Sequence, residues 1–374
     1  MADIEIATRP FGVMPDGRHV TRLDLDAPDG SGVSLCDLGA AVLEVRVPDR
    51  DGRIANVVLG HRDLAGYLAN APYFGVVVGR CANRIGGAAF ELDGRAVQLA
   101  ANEGPNQLHG GPGGFHERVW QIASSEAGRE RAAVTLRLVS GNGDQGYPGR
   151  LDVAVTIGWT ARRELEFAFE ARCDAPTVVN LAHHGYWNLS GEGTGSVDAH
   201  ELSVRAEAFL PVDAALLPTG ELRPVAGTAF DLRRERRLAD VLRADDPQVA
   251  GARGIDHCFV VDRVGADPAR VGPTGADADG AGHGDLVEAV WLRDPGSGRT
   301  LRLSTTEPGV QVYAGGYLDG SIVGRSGRRY RQGDGIALEP QRFPDAVHHP
   351  HFPSVVLRPG EVYRQRSVFA LGVE

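Results

Sequence analysis

Apolar and polar residues alternate along much of this chain with a period of two residues. The alternation is clearest in the runs Val33 to Val47, Ala88 to Leu99, Leu151 to Trp159, Leu165 to Ala171 and Ser367 to Val373. Because successive side chains of a strand point to opposite faces, this pattern predicts β-strands that each bury one face.

Turn residues separate the predicted strands at short intervals. Asp93 and Gly94 form a two-residue hairpin signal, and the sequence DPGSGR, Asp294 to Arg299, separates two further apolar runs. Helical periodicity is confined to short stretches, Asp63 to Leu68 and Arg233 to Asp246. Many closely spaced strands with few helices favour an all-β fold, a large antiparallel sandwich or barrel.

No stretch in the middle of the chain has the composition of a linker between domains. All-β architectures often form one long domain, so we expect a single domain over residues 1–374. Residues 263–284 are crowded with Gly, Ala, Pro and Asp, a composition typical of a flexible surface loop. A lid over a binding site is the functional alternative for this segment.

The chain is acidic, with a formal net charge of −10. A nucleic acid or an anionic membrane would need clustered positive charge, so we expect neither as a partner. A small neutral ligand fits this charge better. The sequence contains no Lys, which excludes Schiff-base chemistry and the P-loop lysine.

The four cysteines, Cys36, Cys81, Cys173 and Cys258, are widely separated and form no CxxC pair. This spacing is typical of a reduced intracellular protein rather than a disulfide scaffold. The N-terminal residues have no apolar signal core, and no apolar run is long enough to span a bilayer. We therefore expect a cytoplasmic protein. The sequence leaves its oligomeric state open between a monomer and a homodimer.

Two adjacent histidines lie inside the strand-like run NLAHHGYWNL, Asn180 to Leu189. On a strand, His184 shares a face with Tyr186 and Asn188, whereas His183 points to the opposite face. Only one of the two imidazoles can then enter a given cleft. An imidazole beside an aromatic hydroxyl and an amide is placed for proton transfer to a polar ligand, because its ordinary pKa lies near neutrality.

Four further segments concentrate polar residues in loops or at strand ends. Asn83 and Arg84 lie between glycines in GRCANRIGG, and His109 lies in GPNQLHGGPGGF, where a ligand could approach the backbone closely. Asp256 lies in GIDHCF, and Glu339 lies where an apolar strand reaches a proline. Each residue is either a positioned functional group or an ordinary polar residue at a strand end.

Three other motifs fail on chemical grounds. The glycines of GGPGGF do not separate a strand from a helix, so they do not indicate a dinucleotide site. The HHPH run, His348 to His351, has no accompanying Cys or carboxylate pair, and we expect no metal there. Asp256, His257 and Cys258 are consecutive on a predicted strand, so their side chains diverge and cannot form a nucleophilic dyad.

A set of sequence blocks is spread in order over most of the chain: GRCANRIGGAAFELDG, NEGPNQLHGGPGGF, NLAHHGYWNLSG, FLPVDAALLPTGELRPVAGTAFDLR, GIDHCF, TTEPGVQVYAGGYLDG and LEPQRFPDAVHHPHFPSVVLRPGE. Together they resemble the galactose mutarotase (aldose 1-epimerase) family. The resemblance implies a single large antiparallel β-supersandwich, which agrees with the strand pattern. It also implies an enzyme that interconverts the α- and β-anomers of a free aldose, such as galactose or glucose, without a cofactor.

The resemblance implies roles for particular residues by matching motif. Glu339 matches the general base that takes the anomeric proton, and His184 matches the acid that protonates the ring oxygen. His109 is implied as a second imidazole beside it. The residues implied to hold the sugar hydroxyls are Asn83, Arg84, Asp256 and Gln311. These roles require the site to raise the pKa of Glu339 and to keep His184 protonated at rest.

Three alternatives remain open from the sequence. A glycoside hydrolase could use Asp256 and Glu339 as its two carboxylates. A non-catalytic sugar-binding protein would bind the sugar without accelerating any reaction. An epimerase of hexose 6-phosphates would need several Arg side chains converging on the phosphate, whereas Arg233 to Arg237 and Arg325 to Arg331 have the pattern of solvated faces.

Overall fold

The structure is a computed structural model that describes residues 2–69, 72–262 and 285–374. In chain order its strands are β1 (Glu5–Val13), β2 (His19–Asp26), β3 (Gly32–Cys36), β4 (Ala41–Pro48), β5 (Ile54–Asn56), β6 (Val77–Val78), β7 (Arg84–Ile85), β8 (Ala89–Leu92), β9 (Arg95–Gln98), β10 (Gln107–Leu108), β11 (Gln121–Glu126), β12 (Arg131–Ser140), β13 (Leu151–Thr160), β14 (Glu164–Cys173), β15 (Thr177–Val178), β16 (Ala182–His183), β17 (Tyr186–Trp187), β18 (Glu201–Val204), β19 (Ala206–Phe209), β20 (Arg223–Pro224), β21 (Arg236–Arg237), β22 (Asp256–Val261), β23 (Val287–Arg293), β24 (Arg299–Thr305), β25 (Gly309–Tyr313), β26 (Asp319–Val323), β27 (Arg329–Arg331), β28 (Ile336–Gln341), β29 (Val356–Leu357) and β30 (Tyr363–Val373). The α-helices are α1 (Leu64–Leu68), α2 (Leu238–Leu242) and α3 (Pro247–Gly251).

The largest sheet has nine strands in the order β11-β12-β13-β14-β30-β24-β23-β18-β21. Its neighbouring strands are antiparallel, and the alternation in the sequence determines which face is buried. Along β13, Leu151, Val153 and Val155 are buried, while Asp152 between them is exposed. The predicted period-two runs are therefore strands with one apolar face against the core.

A six-stranded sheet, β17-β28-β25-β22-β19-β20, and a five-stranded sheet, β1 to β5, complete the main framework. One hydrophobic core contains side chains from all three sheets, including Leu25, Phe167, Phe369, Val312 and Leu338. The sheets thus pack on one another through their apolar faces, and the predicted antiparallel β-sandwich is confirmed. Because the core is continuous, we propose that the chain forms one domain.

The local predictions agree with the structure in most places. Asp93 and Gly94 form the turn of the β8–β9 hairpin, and the DPGSGR segment joins β23 to β24. The first predicted helix is α1, but the stretch Arg233 to Asp246 contains only the short helix α2 after the strand β21. The predicted loop at residues 263–284 lies outside the described residues. Within the described ranges, no helix has both the length and the apolar character needed to cross a bilayer.

A buried arginine, Arg80, holds the loop after β12 against the segment that carries the candidate site. Its side chain is among the largest that are fully buried. The guanidinium donates to the hydroxyl of Ser140 at 2.9 Å and to the carbonyl oxygens of Pro148 at 2.9 Å and Gly149 at 2.9 Å. These carbonyl groups have left the strands, so Arg80 supplies hydrogen bonds that no ladder provides.

We predict that Arg80→Leu lowers the free energy of unfolding by about 3 kcal/mol or more, because several buried acceptors lose a charged donor together. Urea denaturation followed by tryptophan fluorescence measures this loss. Arg172→Leu is the matched control: Arg172 is an exposed strand residue paired with Glu170, and its loss should cost less than about 1 kcal/mol. Similar losses for both variants would contradict a special role for Arg80.

Candidate active site

A cleft of about 430 Å³ opens on the face of the six-stranded sheet that points away from the core. Six of the predicted site residues line it: Asn83, Arg84, His109, His184, Asp256 and Glu339. The seventh, Gln311, does not itself line the cleft, but it donates from Nε2 to Oδ1 of Asp256 at 2.7 Å. Residues that are far apart in the sequence therefore meet in one place.

Strand register explains why the residues from the sheet meet. Gln311 on β25 lies opposite Glu339 on β28, and also opposite Cys258 on β22. Directly opposed residues share a face of the sheet, and so do residues two apart on one strand. Asp256 therefore points to the same side as Glu339. His257 points to the opposite side, where its ring packs against Phe230.

The adjacent histidines diverge as the alternation predicts. The ring of His184 stacks on that of Tyr186 at 5.0 Å, and both line the cleft. The ring of His183 stacks on Phe167 at 4.2 Å, on the core side. The run is less regular than one strand, because β16 ends at His183 and β17 begins at Tyr186. Backbone hydrogen bonds to Gly75 and Val76, both 2.9 Å long, hold His184 between the two strands.

Two glycine-rich segments bring Asn83, Arg84 and His109 together. The short strands β7 and β10 pair, with Leu108 opposite Arg84, and the amide of His109 donates to the carbonyl oxygen of Asn83 at 2.9 Å. A Cβ atom on Gly110 would lie 1.8 Å from the carbonyl oxygen of Gly79, so only glycine permits this approach of the two backbones.

The tautomer of His109 follows from this contact. The backbone N–H of Asn83 donates to Nδ1 of His109 at 3.2 Å, so the neutral ring carries its proton on Nε2. Burial lowers the pKa of His109 well below its ordinary value, and the neighbouring His184 lowers it further. His109 is thus a neutral ring that presents an N–H donor to the cleft.

The same tautomer bears on metal binding. Potential ligand atoms of His109, His184 and Glu339 lie within 4.8 Å of one another, a spacing that a metal ion would allow. A metal needs an unprotonated nitrogen, but the free nitrogen of His109 is the protonated one. Binding would require the proton to move to Nδ1, against the N–H of Asn83. The arrangement fits a hydrogen-bonding ligand better than a cation.

Glu339 and His184 lie side by side in the lining of the cleft. Nε2 of His184 lies 3.6 Å from Oε1 of Glu339, and the side chains are 5% and 2% exposed. Burial raises the pKa of Glu339 well above its ordinary value, the carboxylate of Asp256 adds to the rise, and Arg84 opposes it. Burial lowers the pKa of His184 to about 4. Burial thus disfavours the charged form of each group, and the proton equilibria of two groups this close are coupled.

This protonation differs in one respect from the expectation drawn from the sequence. The rise for Glu339 agrees with it, but a His184 that stays protonated at rest does not. Burial disfavours the charged imidazolium, so a single proton on this pair would favour the carboxyl group of Glu339. With one proton bound, the pair has zero net charge whichever group holds that proton.

Several cleft residues were not identified from the sequence. They are Tyr73, Glu103, Tyr313, Tyr317 and Asp319. Tyr313 could have been found, because it lies two residues after Gln311 on β25 and so faces the same side. Glu103 binds Arg84 through two hydrogen bonds of 2.7 and 2.8 Å. Its pairing depends on how two loops pack, and no local sequence signal indicates it.

The histidines of the HHPH run make hydrogen bonds and ring contacts within the protein. Nδ1 of His348 is hydrogen bonded to Asp345 at 2.7 Å, and Nε2 of His351 to the carbonyl oxygen of Gly220 at 2.8 Å. The rings of His349 and His351 are 5.9 Å apart and pack around Phe352. These imidazoles serve as links between surface loops.

The sequence and structure are similar to known proteins over nearly their whole length. The profile of the family described as aldose 1-epimerase matches residues 21–370. A galactose mutarotase of Sus scrofa is 39% identical over 99% of both chains, and an aldose 1-epimerase of Escherichia coli is 36% identical over 93% of this chain and 94% of its own. A solved galactose 1-epimerase of Lactobacillus acidophilus superimposes with a TM-score of 0.81 at 26% identity, covering 99% of both chains.

The divergence of the two histidines predicts different effects on stability. His183→Asn should lower the free energy of unfolding by about 2–4 kcal/mol, because a polar side chain would replace a ring packed on Phe167. His184→Asn should change it by less than about 1 kcal/mol, since the ring borders the cleft. Chemical denaturation of both variants tests this, and equal losses would mean that both rings are part of the core.

Proposed function

Because the chain belongs to the aldose 1-epimerase family and interconverts the α- and β-anomers of an aldose, we propose that Glu339 and His184 carry out its two proton transfers. The observation that carries the proposal is their 3.6 Å separation on the buried floor of the cleft. O1 and the ring oxygen of an aldose are bonded to the same carbon, so their proton partners must also lie side by side.

The proposed reaction begins when the carboxylate of Glu339 takes the proton from O1 and His184 gives a proton to the ring oxygen. The bond between C1 and the ring oxygen breaks, and C1 becomes an aldehyde. Rotation about the C1–C2 bond presents the other face of the aldehyde to the ring hydroxyl. Closure reverses both proton transfers and gives the other anomer. The chemistry needs no cofactor.

One shared proton is enough for the cycle. Ring opening uses the arrangement in which His184 holds the proton and Glu339 is a carboxylate. The empty site favours the reverse arrangement, and the positive charge of Arg84 opposes that preference by stabilising the carboxylate. Since the two atoms are close, the proton can redistribute within the pair when the sugar binds.

The remaining polar groups are proposed to hold the sugar hydroxyls. His109 offers an N–H donor, and Asp256 offers acceptors, with one oxygen oriented by Gln311. Asn83 and Arg84 line the same wall. Tyr73 and the other tyrosines supply apolar ring surface for the C–H faces of the sugar. Free galactose and glucose are the substrates we propose.

A phosphorylated sugar fits this cleft less well. Arg84 is the only Arg that lines the cleft in the described part of the chain, and its guanidinium is already bound by Glu103. The carboxyl groups of Glu103, Asp256, Asp319 and Glu339 also line it. A phosphate would meet like charges and few free donors, whereas a neutral sugar would find acceptors for its hydroxyl groups.

The cellular setting remains a proposal. The four cysteines are free thiols in the structure. Unpaired cysteines are typical of reducing compartments, and we propose the cytoplasm on this basis. One chain supplies every residue of the proposed site, so a monomer or a homodimer would both be competent.

We predict that Glu339→Gln loses about 10²–10⁴-fold in the rate of mutarotation, because the amide cannot accept the O1 proton. Its size is nearly unchanged, so sugar affinity and thermal stability should stay close to those of the parent protein. Polarimetry on freshly dissolved α-galactose measures the rate, and a near-normal rate would show that another group is the base. Methyl α-galactoside is the control substrate: release of methanol by the parent protein would indicate a glycosidase instead.

The pH dependence of kcat/KM should reflect the coupled titration of Glu339 and His184 rather than that of either group alone. The active form holds one proton, which is lost on the alkaline side and joined by a second on the acid side. Because burial lowers the pKa of His184 to about 4, the acid limb of kcat/KM should lie well below the ordinary histidine range. The raised pKa of Glu339 moves the alkaline limb upward.

The profile is measured by polarimetry, with the rate without enzyme subtracted at each pH, since hydroxide itself opens sugar rings. We expect a broad plateau around neutrality. An acid limb centred near the ordinary imidazole pKa of about 6.5 would show that His184 is not held as a buried neutral ring.

A further inference from the structure

Glu103 is an acidic residue at the cleft that none of the proposed steps uses. Its two carboxylate oxygens accept from Nε and Nη2 of Arg84, at 2.7 and 2.8 Å. This side-on contact fixes the plane of the guanidinium, because both parallel hydrogen bonds form only in one orientation. Nη1 of Arg84 has no hydrogen-bond acceptor among the described residues and stays available to a ligand.

The backbone around Glu103 is itself held firmly. Glu103 and Asn106 exchange backbone hydrogen bonds of 3.1 and 3.0 Å across a tight turn. The side chain of Asn102 accepts from the amide of Leu108 at 2.7 Å and donates to its carbonyl oxygen at 3.0 Å. Since Leu108 pairs with Arg84, the turn and the guanidinium are fixed to the same two-stranded ribbon.

The contact between Glu103 and Arg84 matters because the guanidinium of Arg84 is largely buried. The side chain of Arg84 is 9% exposed, whereas that of Glu103 is 36% exposed and closes the guanidinium off at the rim. A buried guanidinium without a partner would be costly and would move to find one. Glu103 thus satisfies Nε and Nη2 of Arg84 from the more exposed side and leaves Nη1 for a ligand in the cleft.

We propose that Glu103 is a positioning residue that orients Arg84 towards the substrate and moderates the positive charge that Arg84 exerts on the carboxylates of the cleft. This inference rests on the proposed function and adds a residue to it. Glu103 itself touches no reacting atom. It acts through the geometry and the charge of Arg84, and these two effects can be separated by substitution.

The charge effect has a definite sign. The titratable groups around Glu339 are Asp256, Arg84, His184, His109, Cys258, Tyr186 and Tyr313. Arg84 lowers the pKa of Glu339, and Glu103 raises the pKa of Asp256 through its charge. Removing the negative charge of Glu103 leaves the positive charge of Arg84 unopposed. That charge favours the ionised carboxylates of Asp256 and Glu339 and repels a protonated His184. Both limbs of the rate profile should then move to lower pH.

The test compares two variants. Glu103→Gln removes the charge and should raise KM for galactose roughly tenfold, with both limbs of the profile shifted towards acid by about half a pH unit. Glu103→Asp keeps the charge, but its side chain is one methylene too short for both hydrogen bonds. It should raise KM while leaving the limbs in place.

Two controls separate this role from general destabilisation. Glu91→Gln removes one negative charge from an exposed position on β8 outside the cleft, and it should change neither KM nor the profile. In an Arg84→Met background, Glu103→Gln should raise KM no further, because the group it orients is gone. An additional rise in that background would overturn the proposal, since Glu103 would then act by another route.

The outcomes also distinguish this inference from the proposed function. A parent-like KM and profile for Glu103→Gln, beside an inactive Glu339→Gln, would refute the positioning role and leave the proton-transfer pair intact. A fully active Glu339→Gln would refute the pair instead. The KM shifts of the Glu103 variants would still decide whether Glu103 orients Arg84.

Discussion

The antiparallel register of β22, β25 and β28 is the constraint on which the site depends. It places Gln311 directly opposite Glu339 and brings Asp256 to the same face. A shift of one residue in any of these strands would turn its polar side chains into the core and its apolar ones into the cleft. The apolar residues between them, such as Val312 and Leu338, are fully buried and hold the register in place.

The low exposure of the ionisable groups in the cleft shifts their pKa values. Glu339, His184 and Asp256 are all less than a tenth exposed, and a dry environment penalises each charged form. The site limits this cost by placing Arg84 near the carboxyl groups of Glu339 and Asp256.

The kind of fold could be predicted from the sequence, and six of the seven candidate site residues named from it line one cleft. Period-two alternation requires strands with one apolar face, and many such strands with short turns can bury those faces only by packing sheets together. The same alternation separates His184 from His183, because neighbouring residues of an extended chain face opposite sides. The blocks around Asn83, Asp256 and Glu339 identified the family, although their positions in the chain are far apart.

The protonation states and the contacts of these residues depend on tertiary packing and could not be predicted from the sequence. Sequence gives the type of a group, but its pKa depends on how deeply it is buried and which charges surround it, and for His184 burial reversed the expected protonation. The tautomer of His109 depends on one backbone N–H from another loop. The two hydrogen bonds between Glu103 and Arg84 depend likewise on the pairing of the short strands β7 and β10. Such contacts arise between segments distant in sequence, so no local pattern encodes them.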